Sequence, residues 1–79
     1  MDEFVKRYKN LSGNSGVVAY ELGPGSIVVQ FQDGWRYGYT VASAGADAVA
    51  TMQSLAISGR GLSGFISTSV RERYARKFR

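Results

Sequence analysis

The sequence predicts an α+β fold: a three-stranded antiparallel meander sheet covered by one helix and followed by a short basic C-terminal helix. Three observations carry this. Ile27, Val29 and Phe31 alternate with Ser26, Gln30 and Gln32, and the Asp33-Gly34 that follows is a hairpin signal. From Ser43 the apolar residues move to helical spacing. Beyond a glycine-rich joint, Leu62, Ile66, Val70, Tyr74 and Phe78 recur at spacing four among arginines.

Residues 1–10 have no clean period, and Phe4 and Tyr8 lie four apart. That suits one helical turn or an arm that orders on a partner. Residues 1–12 are therefore set apart as a basic and aromatic arm, and 13–79 as a single domain. The LSGNSG stretch at 11–16 reads as a loop. Val17 to Leu22, rich in β-branched and aromatic residues, is the first strand. Gly23-Pro24-Gly25 is a turn, Ser26 to Gln32 the second strand and Trp35 to Val41 the third.

The hairpin register decides where the aromatics point, because side chains alternate faces along a strand. A two-residue Asp33-Gly34 loop pairs Gln32 with Trp35 and exposes Trp35, Tyr37 and Tyr39 as an aromatic platform. A three-residue Gln32-Asp33-Gly34 loop, with Gly34 in a bulge, pairs Phe31 with Trp35, Val29 with Tyr37 and Ile27 with Tyr39. The second sorts apolar from polar better, and a small domain has few large side chains to spare from its core. Both stay open from sequence alone, the second preferred.

Ser43 is the N-cap candidate of the covering helix, Gly59 its stop, and Ala48, Val49, Met52, Leu55 and Ala56 its apolar stripe. Ser69-Val70-Arg71-Glu72 fits a capping box, which places the last helix from about Val70, with Glu72 and Arg76 as an i,i+4 pair.

Composition narrows the chemistry. The 79 residues contain no cysteine and no histidine, so thiolate sites and imidazole-based catalysis are excluded. Ser63, Ser67 and Ser69 have no activating base, and Glu21, Asp33 and Asp47 are scattered over a strand end, a turn and a helix start. No enzyme activity, cofactor, metal or small-molecule substrate is expected. No apolar run approaches the roughly 18 residues of a membrane span, and the charged start lacks a leader's apolar region, so a cytoplasmic protein is expected. The net charge of +4 is uneven: residues 1–9 carry +1, residues 10–59 carry −2 and residues 60–79 carry +5. Anionic partners are expected at the ends.

Gly59-x-Gly61-x-x-Gly64 matches a dinucleotide fingerprint but follows a helix, so it reads as an interhelical joint, with Arg60 available to a phosphate of a larger anion. The stronger lead is Arg71, Arg73, Arg76, Lys77 and Arg79 on the predicted basic helix, an electrostatic footprint for phosphates. Arg36 flanked by Trp35 and Tyr37, with Tyr39 beyond, would add a stacking platform in the exposed register. In the arm, Phe4, Val5 and Tyr8 interleave with Lys6, Arg7 and Lys9 and suit a protein partner.

The segments Ser15-x-Val17-x-x-Tyr20-Glu21, Ile27-x-Val29-x-Phe31-x-x-Gly34, the central Tyr37-Gly38-Tyr39, Ala56-Ile57-Ser58-Gly59 and Val70-Arg71-x-x-Tyr74 together resemble the KTSC domain. That is a short module named from the C-terminus of some lysyl-tRNA synthetases and also found alone in bacteria and phages. The resemblance spans residues 15–74 and implies a small α+β fold with a suspected role in RNA binding. The arm, the joint at 59–64 and the arginines after Tyr74 depart from the family pattern. Two functions are thus expected from different classes. One is an RNA or other nucleic-acid binding module; the other is a regulator that docks its arm on a protein of the transcription or translation machinery, such as RNA polymerase. A purely structural or oligomerising domain is a third.

Overall fold

The computed structural model describes residues 5–11, 13 and 15–79. Strands β1 (Val5–Arg7), β2 (Val17–Gly23), β3 (Ser26–Phe31), β4 (Arg36–Thr40) and β5 (Arg76–Phe78) form one antiparallel sheet in the order β1-β2-β3-β4-β5. Helices α1 (Val41–Ala44), α2 (Ala46–Ser58) and α3 (Leu62–Phe65) follow β4, and α3 runs into a π-helical turn, Ile66–Val70. The architecture is α+β, but the sheet has five strands where three were expected, and more than one helix packs on it.

The preferred hairpin register is the one observed. Val29 pairs with Tyr37 and Ile27 with Tyr39, and Gly34 takes φ 90° in the bulge. Phe31 N–H donates to the Trp35 carbonyl at 2.9 Å, and the Asp33 carboxylate accepts from Trp35 N–H at 3.0 Å. Paired residues share a face, so Tyr20, Ile27, Val29, Tyr37 and Tyr39 line one side of the sheet. Val49, Met52 and Ala56 of α2 and Leu62, Ile66 and Val70 close that side into the core. Gln53 fastens α2 to the β2–β3 turn, donating to the Gly23 and Ser26 carbonyls at 3.0 and 2.8 Å. Thr40 rather than Ser43 is the N-cap; Ser43 is its partner three residues on, and Gly45 separates α1 from α2. Gly59 stops α2 as expected, in a left-handed conformation.

Two other expectations are corrected. Val5–Arg7 is an edge strand paired with β2, and Tyr8 is buried with its hydroxyl accepting from Leu62 N–H at 3.2 Å. This stretch therefore belongs to the sheet and core rather than standing off as an arm; Phe4 lies outside the described residues. The basic C-terminal helix does not form. The chain is helical from Leu62 to Val70 and breaks where a helix was expected to begin, at Arg71 with φ 43°. It then returns as β5 against β4, guided by Ala75 N–H donating to the Gly38 carbonyl at 2.7 Å. Glu72 falls in the turn and Arg76 in the strand, so they are not an i,i+4 helix pair. Among the described residues no helix is long and apolar enough to cross a membrane.

Candidate functional site

β5 is an edge strand, and its alternation distributes the C-terminal cations over both faces of the sheet. On the face that no helix covers, Gln30 pairs with Arg36 and Arg36 with Phe78, while Gly38 pairs with Arg76. The guanidinium carbons of Arg76 and Arg36 lie 4.6 and 5.8 Å from the centre of the Phe78 ring. Gly38 makes this possible: a β-carbon there would stand 3.2 Å from Arg76 Cγ and 3.3 Å from its Nε, so the arginine stem lies flat across the glycine. The resulting groove, about 260 Å³, runs across the sheet to Val5 on β1 and includes Glu21.

On the opposite face Tyr37 pairs with Lys77. Lys77 Nζ is 4.7 Å from the Trp35 ring and 5.5 Å from that of Tyr37, and the Arg79 guanidinium is 4.6 Å from Trp35. Arg79 also donates to the Asp33 carbonyl at 3.1 Å, which ties the C-terminus to the β3–β4 turn. Beside this cluster a second cleft of about 300 Å³ is bounded by Phe31, Tyr37, Tyr39 and Tyr74, with Asp33, Arg71, Glu72 and Lys77 among its polar residues. Phe31 and Tyr37 meet edge to face at 5.4 Å, and Tyr74 lies 5.1 Å from Tyr37 and 6.3 Å from Tyr39.

Tyr39 is 1% exposed, so it is not a stacking surface but the floor of the cleft. Its hydroxyl donates to the Arg71 carbonyl at 3.0 Å. Burial, reinforced by the neighbouring Tyr37 and Tyr74 phenols, pushes its pKa up to about 12, so it remains a donor throughout the physiological range.

The site residues expected from sequence thus separate. Arg36, Trp35, Tyr37, Arg76 and Lys77 converge on the β4–β5 edge, and Arg71 joins them at the second cleft. Arg73 is exposed in the turn before β5, and Arg60 is exposed at the α2–α3 joint; neither borders either cleft. Val5, Lys6 and Arg7 are exposed on the far edge strand, and the Lys9 stem packs where a Gly59 β-carbon would be. Phe78 borders the groove and Tyr74 the second cleft, although their spacing of four placed both on a helical stripe. Their aromatic character beside Lys77 and Arg73 was the available signal. Among the described residues no three acidic side chains gather as a metal site. No protein-family model, curated protein or solved structure matches the chain.

Proposed function

We propose that this chain is a small non-catalytic module that binds single-stranded nucleic acid, RNA foremost, along its β4–β5 edge. The observation that carries the reading is the pairing of cations with rings on both faces of one strand pair: Arg36 and Arg76 on Phe78, Lys77 and Arg79 on Trp35. A ring face attracts a cation through its quadrupole and equally offers a base a surface on which to stack. Cations held beside such surfaces are already placed to meet the phosphates that flank a stacked base. Arginine adds a planar fork that matches phosphate oxygens in pairs. Further support comes from the segments that resemble the KTSC domain, since Tyr37-Gly38-Tyr39 and Val70-Arg71-x-x-Tyr74 meet around one cleft.

The test is fluorescence anisotropy with a labelled single-stranded RNA of about ten nucleotides, within the span such sites cover. The triple variant Arg76→Ala, Lys77→Ala, Arg79→Ala should lose at least about tenfold in affinity while its circular dichroism is unchanged, since all three residues are exposed. Equal affinity of the two folded proteins would overturn the reading.

A further inference from the structure

The cation–ring edge grips a strand but leaves unexplained the neighbouring cleft under Tyr74. Its aromatic walls come from three separated parts of the chain: Phe31 ends β3, Tyr37 lies in β4, and Tyr74 sits in the turn before β5. All three rings are half-buried, whereas the floor, Tyr39, is fully buried. The interplanar angles are 83° for Phe31–Tyr37, 53° for Tyr37–Tyr74 and 79° for Tyr39–Tyr74, so no pair is stacked face to face. The rings meet edge-on or tilted and together border the cleft.

Size and charge select the occupant. A volume of about 300 Å³ stands at the lower end of small-ligand sites and suits one flat ring system. Aromatic walls alone would also suit a quaternary ammonium group. Here, however, Lys77 already lies 5.5 Å from the Tyr37 ring and Arg71 borders the same cleft, so a cationic ligand would meet two positive charges. A planar ring tethered to an anion, by contrast, can divide itself between the cleft's two pairs of opposite charges. The Asp33 and Glu72 carboxylates at the rim can accept from the N–H groups of a base edge, and Arg71 and Lys77 can meet its phosphates.

The backbone supplies an independent observation. Arg71 takes φ 43° and ψ −112°, a region that non-glycine residues rarely adopt. It is held there by three hydrogen bonds: Tyr39 Oη to its carbonyl at 3.0 Å, its own N–H to the Ile66 carbonyl at 2.7 Å, and its Nε to the Ser67 carbonyl at 3.2 Å. The Nε bond uses one of the guanidinium's five donors. This conformation is what turns the chain so that Tyr74 comes back over Tyr37 and Tyr39.

Resting on the nucleic-acid reading above, we propose that the cleft receives one unstacked base of the bound strand, its ring against Tyr37 and Tyr74 and its flanking phosphates on Arg71 and Lys77.

The experiment compares oligouridylate of about ten nucleotides with the same ribose-phosphate backbone lacking its bases, at one salt concentration. The intact strand should bind about tenfold tighter or better, the worth of base–aromatic stacking. Tyr74→Leu should shrink that difference several-fold, leaving what stacking on Trp35 and Phe78 contributes, with the affinity for the abasic backbone unchanged. In the unsubstituted protein, the ring resonances of Tyr37 and Tyr74 should shift on adding the intact strand and not the abasic one, a readout that needs no variant to fold. Equal affinity for both strands, or base-dependent shifts confined to Trp35 and Phe78, would overturn the cleft proposal and leave the nucleic-acid reading standing. Binding of neither strand would overturn both.

Discussion

Replacing Gly38 with alanine separates the placement of Arg76 from its charge. Gly38 does not use the left-handed region that only glycine tolerates well, so alanine fits its backbone. In a strand interior that exchange is worth about 0.5–1 kcal/mol in favour of alanine. The new methyl would lie 3.2 Å from Arg76 Cγ and 3.3 Å from Nε, closer than it can comfortably stay. Arg76 is exposed on an edge strand and can swing away, giving up its position 4.6 Å over Phe78. An exposed cation–ring contact contributes about 0.5–1 kcal/mol, so the two effects offset and the thermal midpoint should move by less than about 5 °C. Under the proposed function RNA affinity should behave differently, because a guanidinium that would meet a phosphate from a fixed position must then be ordered on binding. A loss of about 1 kcal/mol, roughly fivefold, is expected by anisotropy at low salt, against an unchanged melting curve. If Gly38→Ala binds RNA as the parent does while Arg76→Ala binds weakly, the charge matters and its seat on Phe78 does not. A fall in midpoint beyond about 10 °C would refute the premise that Arg76 can yield.

Other consequences are open to direct measurement. If Arg36, Arg76, Lys77 and Arg79 each neutralise one phosphate, a single strand should lose about fiftyfold in affinity between 50 and 200 mM salt, from a log–log slope of about −2.8; a slope near zero would remove the electrostatic basis of binding. Tyr39 has its pKa raised from 10.0 to about 12 in the folded chain, so its stabilisation is complete below pH 10 and is lost as pH rises to 12. Over that window the parent should lose about 2–3 kcal/mol relative to Tyr39→Phe in urea titrations, and parallel curves would show that the buried phenol does not resist ionisation. Gln53→Ala removes both donors to the β2–β3 turn and should cost about 1–2 kcal/mol, with a midpoint lower by about 5–10 °C; no change would mean that water replaces them without loss.

What the sequence disclosed and what it concealed follow from the same periodicities. The β3–β4 register was legible because only one of two loop lengths puts Val29, Tyr37, Ile27 and Tyr39 together, and burial enforces that choice. The helical stripe from Val49 to Ala56 and its stop at Gly59 were legible for a similar reason. The C-terminus was not. A spacing of four is close to one helical turn but is also twice the strand period, so Leu62, Ile66 and Val70 followed by Tyr74 and Phe78 fit one long helix equally well. The ambiguity is resolved by tertiary contacts that no local pattern contains: the Tyr39 hydroxyl on the Arg71 carbonyl and the Gly38 carbonyl on Ala75 N–H. β1 stayed hidden because three exposed residues show no alternation; the stretch is held by the burial of Tyr8 and by the bonds of Tyr8 N–H to the Val18 carbonyl and Leu11 N–H to the Gly59 carbonyl.

Those same contacts bear on how the candidate site is built. Tyr37, Gly38 and Tyr39 divide their work between the two faces of β4. The central glycine gives Arg76 room to lie over the open face, and the flanking tyrosines form a wall and the floor of the cleft on the other. Yet Gly38 and Tyr39 also hold the returning chain, one through its carbonyl to Ala75 and the other through its hydroxyl to Arg71. The segment that presents the proposed ligand surface therefore also anchors the strand that carries the cations. Loss of the Tyr39 hydroxyl should consequently loosen residues 71–79 before it loosens the core. In amide hydrogen exchange, Tyr39→Phe should speed exchange of Arg73 and Ala75, whose N–H groups donate to the Val70 and Gly38 carbonyls, while β2–β3 amides keep the parent's rates. Uniform acceleration across the sheet would instead make Tyr39 a core residue like any other and detach the fold of the C-terminal strand from the cleft beneath it.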